Sequence, residues 1–211
     1  MAVSYVLGAL VSAARTAVMA LGGRLTERWR ARYQLSTRPL LSTDSAEGDH
    51  VRVTGVVRVL DDTLIAPLSG RTCVAYRARA TVHTVRPGTY VLLPKPDSFV
   101  LVPFLIEGTD HVVLIDGDRA VFDLPLTKLT GSERQQRFMT LHGYTSQLGV
   151  GASFREVVVE PGMVVTVAGV LMRDVALAPT VDESTFRAGP PPTLRLSGNR
   201  EHPLAIGLAP R

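Results

Sequence analysis

The sequence predicts a mainly β protein: an OB-like or otherwise strongly bent β-barrel with one short inserted helix, preceded by an N-terminal helix. Three observations carry this expectation. Valine-rich stretches alternate apolar and polar residues with a period of two, the mark of half-buried strands. Fourteen prolines and eighteen glycines supply the turns that many short strands need. A nine-residue segment recurs in register: Gly48-Asp-His-Val-Arg-Val-Thr-Gly55-Val56 matches Gly162-Met-Val-Val-Thr-Val-Ala-Gly169-Val170 at five of nine positions. Glycine inside a strand costs stability, so its recurrence points to strands that bend to serve two sides of a small barrel.

The N-terminal element comes first. Residues 2–23 are nearly all apolar or small, with Val3, Val6, Leu10 and Leu21 among them. As a helix they are long enough to cross a bilayer core of about 30 Å. Arg15 lies near the middle, where a charge costs about 2.5–3.5 kcal/mol on insertion scales. Two membrane arrangements are compatible with this pattern. The helix lies in the interface, or it spans and packs its Ser4, Gly8, Ser12 face on another helix. Arg24, Arg28, Arg30 and Arg32 follow beside Trp29 and Tyr33, as at an anionic headgroup layer. The candidate membrane contacts are therefore Val3, Val6, Leu10, Leu21, Arg24, Arg28, Trp29 and Arg32. If the helix spans, this basic flank puts the body on the cytoplasmic side. The alternatives are an amphipathic helix docked on the protein's own core, or a signal peptide, which the lack of Lys or Arg before the apolar stretch disfavours.

Residues 1–34 thus form an N-terminal unit, 35–47 a linker, and 48–211 the β domain. Within the domain, strands are expected over Val51–Val59 and Cys73–Val82. The apolar runs Phe99–Ile106 and His111–Ile115 flank the turn-like Glu107–Asp110 as a hairpin, and Asp116-Gly117-Asp118 reads as another hairpin turn before Arg119–Leu124. Phe154–Val159, Met163–Met172 and Thr193–Leu196 add three strands. One helix interrupts the series: Ser132-x-x-Gln135 resembles a capping box, Phe138, Met139 and Leu141 give an apolar stripe, and Gly143 is a stop. Residues 83–98 and 174–192 read as long excursions between strands.

Chemistry is harder to find. The chain has one cysteine, Cys73, which excludes an intrachain disulfide and a thiolate zinc site. Cys73 begins a strand, where a buried thiol is inert. Ser69 lacks a Gly-x-Ser-x-Gly elbow, and His50, His83, His111, His142 and His202 form no metal-binding spacing. Asp61-Asp62 and Asp116-x-Asp118 fall where solvated turns are expected. No catalytic, cofactor-binding or metal residue is assigned, and no cofactor. The net charge of +4 is concentrated at the N-terminus. Residues 1–38 carry about +5 and the remainder about −1, so the body's charge does not predict nucleic-acid binding.

From Leu64-Ile-Ala-Pro-Leu-Ser-Gly-Arg-Thr-Cys-Val-Ala-Tyr76 onward the chain resembles the GIDE, or beside-a-membrane, domain family, the middle domain of MULAN-type ubiquitin ligases. The order of elements continues to fit through Val102-Pro-Phe-Leu-Ile106, Val112–Asp116, Arg155-Glu-Val-Val-Val-Glu-Pro-Gly162, Val165–Gly169 and Pro191–Ser197. The resemblance covers about residues 47–207. It implies a domain beside a bilayer that binds partners, with membrane lipid contacted by the N-terminal helix and a protein or small-molecule partner held by the barrel. Ubiquitin transfer is not implied, because the RING cysteines and histidines are missing; a ligase-like role would require a separate RING protein. Ser69, Gly70, Arg71 and Tyr76, which combine turn chemistry, a cation and an aromatic, are the candidate interaction surface. An OB-like nucleic-acid binder is the alternative reading.

Overall fold

The structure, a computed structural model, describes residues 27–83, 96–129, 133–144, 151–173 and 194–209. The apolar stretch 2–23, Arg24, and the excursions over 84–95 and 174–193 lie outside these residues.

The chain is mainly β, with two helices among the described residues and a closed five-stranded barrel. The barrel strands are β1 (His50–Val59), β6 (Phe104–Glu107), β7 (Val112–Gly117), β11 (Val164–Arg173) and β12 (Leu194–Gly198). Around the ring β1 pairs with β6, β6 with β7, β7 with β12, β12 with β11, and β11 with β1. Numbered in chain order the barrel strands run 1-2-3-5-4 and back to 1. The third and fifth are parallel and all other neighbours antiparallel. This is the connectivity of an OB-like barrel.

The recurring segment explains how so few strands close. Its two copies, β1 and β11, are antiparallel partners from His50↔Val170 to Val56↔Val164. Each changes neighbour at its strand glycine. On its other edge β1 takes up β6 from Val56 onward, and a Cβ at Gly55 would sit 2.3 Å from the Glu107 carbonyl oxygen. Strand β11 pairs with β13 (Leu204–Leu208) over Val165–Ala168, then with β12 over Val170–Arg173. Gly169 stands at that fork, where a Cβ would lie 2.7 Å from Leu204 and 3.0 Å from the Ser197 carbonyl oxygen.

A second sheet, in the order β5 (Asp97–Leu101), β4 (Ala75–His83), β10 (Gly151–Val159), β9 (Thr127–Leu129), leans on the barrel. Ala75, Val157 and Val159 enter the same apolar core as Val57, Phe104, Ile106, Leu171 and Ile206, so the two sheets share one interior. The outer face of β4 is covered by α2 (Glu133–Leu141) and the turn between β2 (Leu64–Ile65) and its partner β3 (Thr72–Cys73), through Leu68, Ala78, Ala80 and Phe138. Helix α2 ends at Gly143, whose φ of +80° is the left-handed stop expected there. Of its apolar stripe, Phe138 is buried while Leu141 is exposed. Ser132, the expected cap, lies outside the described residues.

Several expectations need correction. The run 99–106 is not one strand: β5 belongs to the second sheet, β6 to the barrel, and the chain changes sheet at Val102-Pro103, where proline has no N–H for a ladder. Asp116–Asp118 is a corner rather than a hairpin turn. Strand β8 (Ala120–Asp123) pairs with β13 in parallel and not with β7. Strands β9 and β13 were not expected; both are short, and β13 is apolar without alternation. The linker is laced to the barrel: Leu40 bridges Arg52, Leu41 and Ser45 are buried, and helix α1 (residues 27–37) runs into it.

Candidate interaction site

The turn carrying Ser69, Gly70 and Arg71 is built around a buried acid. Glu156, fully buried on β10, accepts hydrogen bonds from the backbone N–H groups of Leu68 at 2.9 Å and Ser69 at 3.0 Å. The Ala66 N–H donates to the Arg71 carbonyl and the Gly70 N–H to the Ala66 carbonyl, closing the loop on itself. Gly70 has φ +75°, and a Cβ there would lie 2.7 Å from the Arg134 guanidinium of α2. The Arg71 side chain donates to Glu160 at 2.5 Å and to the Ser69 hydroxyl at 3.3 Å. Tyr76 is half-buried, packed between the two small clusters around Ala66 and Leu68. The structure therefore places the turn over the face of the second sheet formed by β4 and β10, near Tyr76, with Arg71 exposed and its charge already paired.

Cys73 sits beneath this turn, fully buried, with its Sγ 3.7 Å from the Leu64 carbonyl oxygen. Burial pushes its thiol up to about 11, and the Glu156 and Glu160 carboxylates push the same way, so no thiolate is available at neutral pH. His50 and His202 meet edge to face at 4.8 Å, and His142 Nδ1 lies 2.8 Å from the Phe138 carbonyl oxygen. Among the described residues no three His, Cys, Asp or Glu side chains converge to hold a metal.

The second candidate region is the seam between α1 and the barrel. Ala31 is fully buried against Val121, Ala168 and Ala205, small residues on the outer face of β8, β11 and β13. Leu35 joins them in a slot left by Gly207, where a Cβ would come within 2.6 Å of its Cδ1. Asp123 receives Arg28 Nε at 2.7 Å and Arg32 Nε at 2.8 Å, one turn apart on the helix. Burial raises the Asp123 carboxyl and the two guanidiniums outweigh it, holding the group below its ordinary value. Arg30 donates to the Glu201 carbonyl at 2.9 Å. At the start of the described helix, Glu27 reaches Arg77 at 3.3 Å and Arg79 at 2.9 Å on β4, and Asp97 binds both arginines. Of the expected membrane contacts, Arg28 and Arg32 are thus tied to the barrel. Trp29 points away, 66% exposed, and stacks on Tyr33 at 5.4 Å. No helix among the described residues is long and apolar enough to cross a membrane. The Asp123 partnership and the Glu27–Arg77–Arg79–Asp97 quartet had no local sequence signal, because their members are distant in the chain.

Compared with known proteins, the chain matches no family model, no curated protein and no solved structure.

Proposed function

We propose that this protein is a non-enzymatic, membrane-proximal interaction or ligand-binding module resembling the GIDE domain. The observation that supports this reading is the α1 seam. The apolar stretch 2–23 lies a few residues ahead of a helix held on the barrel by Ala31, Leu35 and the Arg28–Asp123–Arg32 pairs. A bilayer that takes up the stretch therefore keeps α1 and the barrel it is docked on close to the surface. Trp29 and Tyr33, stacked on the open side of the same helix, are amphipathic rings of the kind that settle at headgroup level. The oligonucleotide reading has less support. The outward face of β6 and β7, where OB folds bind strands, carries Leu105, Glu107, Val112, Leu114 and Asp116, with no aromatic, and the neighbouring Arg58 and Arg195 are paired with Glu107 and Asp116.

Trp29 is the only tryptophan, so its fluorescence reports the seam alone. Full-length protein mixed with anionic vesicles should float with them and shift its emission to the blue. Protein that stays at the bottom of the gradient with unchanged emission would leave a soluble binding module as the function.

A further inference from the structure

Beside the seam lies an open recess of about 350 Å³ whose walls come from four separate parts of the chain. Arg30 and Glu27 come from α1, Arg77 from β4, Arg119 from the corner before β8, and Arg200 from the loop between β12 and β13. Four arginines and one glutamate thus line it. Arg77 is already neutralised, since Glu27 and Asp97 both bind it. The other three are not: among the described residues no ion pair joins Arg30, Arg119 or Arg200 to a carboxylate, although Asp118 and Glu201 are their chain neighbours. The surplus is about three positive charges around a space at the low end of small-ligand sites, about 300–1,000 Å³.

The backbone of the walls is braced by hydrogen bonds. The Leu204 N–H donates to the Arg119 carbonyl at 3.0 Å, and the Asp118 N–H to the Gly198 carbonyl at 3.2 Å, which fixes the two loops to each other. The Asn199 side-chain oxygen accepts the backbone N–H groups of Glu201 and His202, closing the turn that presents Arg200. Arg30 is steadied by the Glu201 carbonyl. Guanidiniums carried on a braced backbone around one recess are suited to the oxygens of a phosphate, which several forks can bind at once.

We propose that this recess is a binding site for a phosphate-bearing anion, supplied by a lipid headgroup or by a free phosphorylated small molecule. The inference does not rest on the membrane-proximal reading, because a soluble ligand would fill the site equally well.

The test uses the full-length protein and a variant carrying Arg119→Ala and Arg200→Ala, two exposed residues outside the ion-pair network. Arg137→Ala serves as a charge control; it is exposed on α2, across the second sheet from Arg77. Inorganic pyrophosphate is titrated calorimetrically in one arm. In the other, flotation is compared on phosphatidylcholine vesicles with and without phosphatidic acid. Pyrophosphate affinity that falls tenfold or more in the double variant, and is kept in the control, establishes a site open to free phosphate. Loss confined to the phosphatidic acid vesicles assigns it to a headgroup. Equal losses in both variants, or none in either arm, overturn the proposal. Flotation that persists in the double variant while pyrophosphate binding is lost leaves the helix-borne membrane attachment standing by itself.

Discussion

At the scale of single residues, Glu156 shows why the candidate turn could be noticed in the sequence but not understood from it. Leu64–Tyr76 stands out by its turn residues, its arginine and its tyrosine. What shapes it is an acid some 87 positions away, one polar residue in a strand whose sequence gives no sign that Glu156 points inward. A buried carboxylate is stable only with donors on its oxygens, and here two backbone N–H groups supply them. Removing it leaves the buried Leu68 N–H without an acceptor, at about 1–3 kcal/mol, and the half-buried Ser69 N–H at about 1 kcal/mol. Glu156→Ala should therefore lower the unfolding free energy by about 2–4 kcal/mol in urea titration. Glu156→Gln should lose less, because its carbonyl still accepts one of the two. A Glu156→Ala variant as stable as the parent would mean that the turn draws nothing from the acid. By contrast, the glycines Gly55 and Gly169 were legible. Each interrupts a valine-rich repeat, and each stands where another backbone comes too close for a Cβ.

At the scale of elements, strands with clear alternation were readable and strands defined by their neighbours were not. Strand β1 announces itself through valines at every second position. Strand β13 does not, because both of its faces are covered, by α1 on one side and the barrel core on the other. Helix α1 was readable as a basic, aromatic segment, but its partner surface was not, since Val121, Ala168 and Ala205 come from three strands. The seam is also the element with the clearest pH dependence. The folded pKa of Asp123 is depressed, so its contribution is complete above the ordinary carboxylate value of about 3.9 and is lost as pH falls through the lowered value. Because Arg28 and Arg32 are half exposed or more, water screens the pairs, and together they contribute about 1 kcal/mol. Asp123→Asn should thus melt about 2–4 °C below the parent at neutral pH. The gap should close in acid, where the parent's carboxyl is protonated. A gap that stays constant with pH would show that the loss comes from packing rather than charge.

At the scale of the molecule, the recess illustrates what a charge count hides. The body beyond residue 38 is near neutral, which argued against an anion site. Folding nevertheless places Arg77, Arg119 and Arg200 together with Arg30, while the balancing acids are spent elsewhere, Glu107 on Arg58 and Glu160 on Arg71. Whether such a site is firm depends on whether barrel and second sheet behave as one body. The core residues say that they do: Ala75, Val157 and Val159 from the second sheet and Phe104, Ile115 and Leu196 from the barrel fill a single interior. Opening one sheet exposes the apolar surface of the other, so no partial unfolding of the second sheet is cheap. Cys73 is the probe for this. It is the only thiol, it is fully buried beneath the turn against Val158 of β10, and its raised pKa removes background reaction. Its labelling by a maleimide should therefore proceed only through global unfolding. The opening free energy from labelling rates at low urea should equal that from circular dichroism. A much smaller opening free energy would show the second sheet and its turn parting from an intact barrel. The shared interior would then not bind them into one cooperative unit.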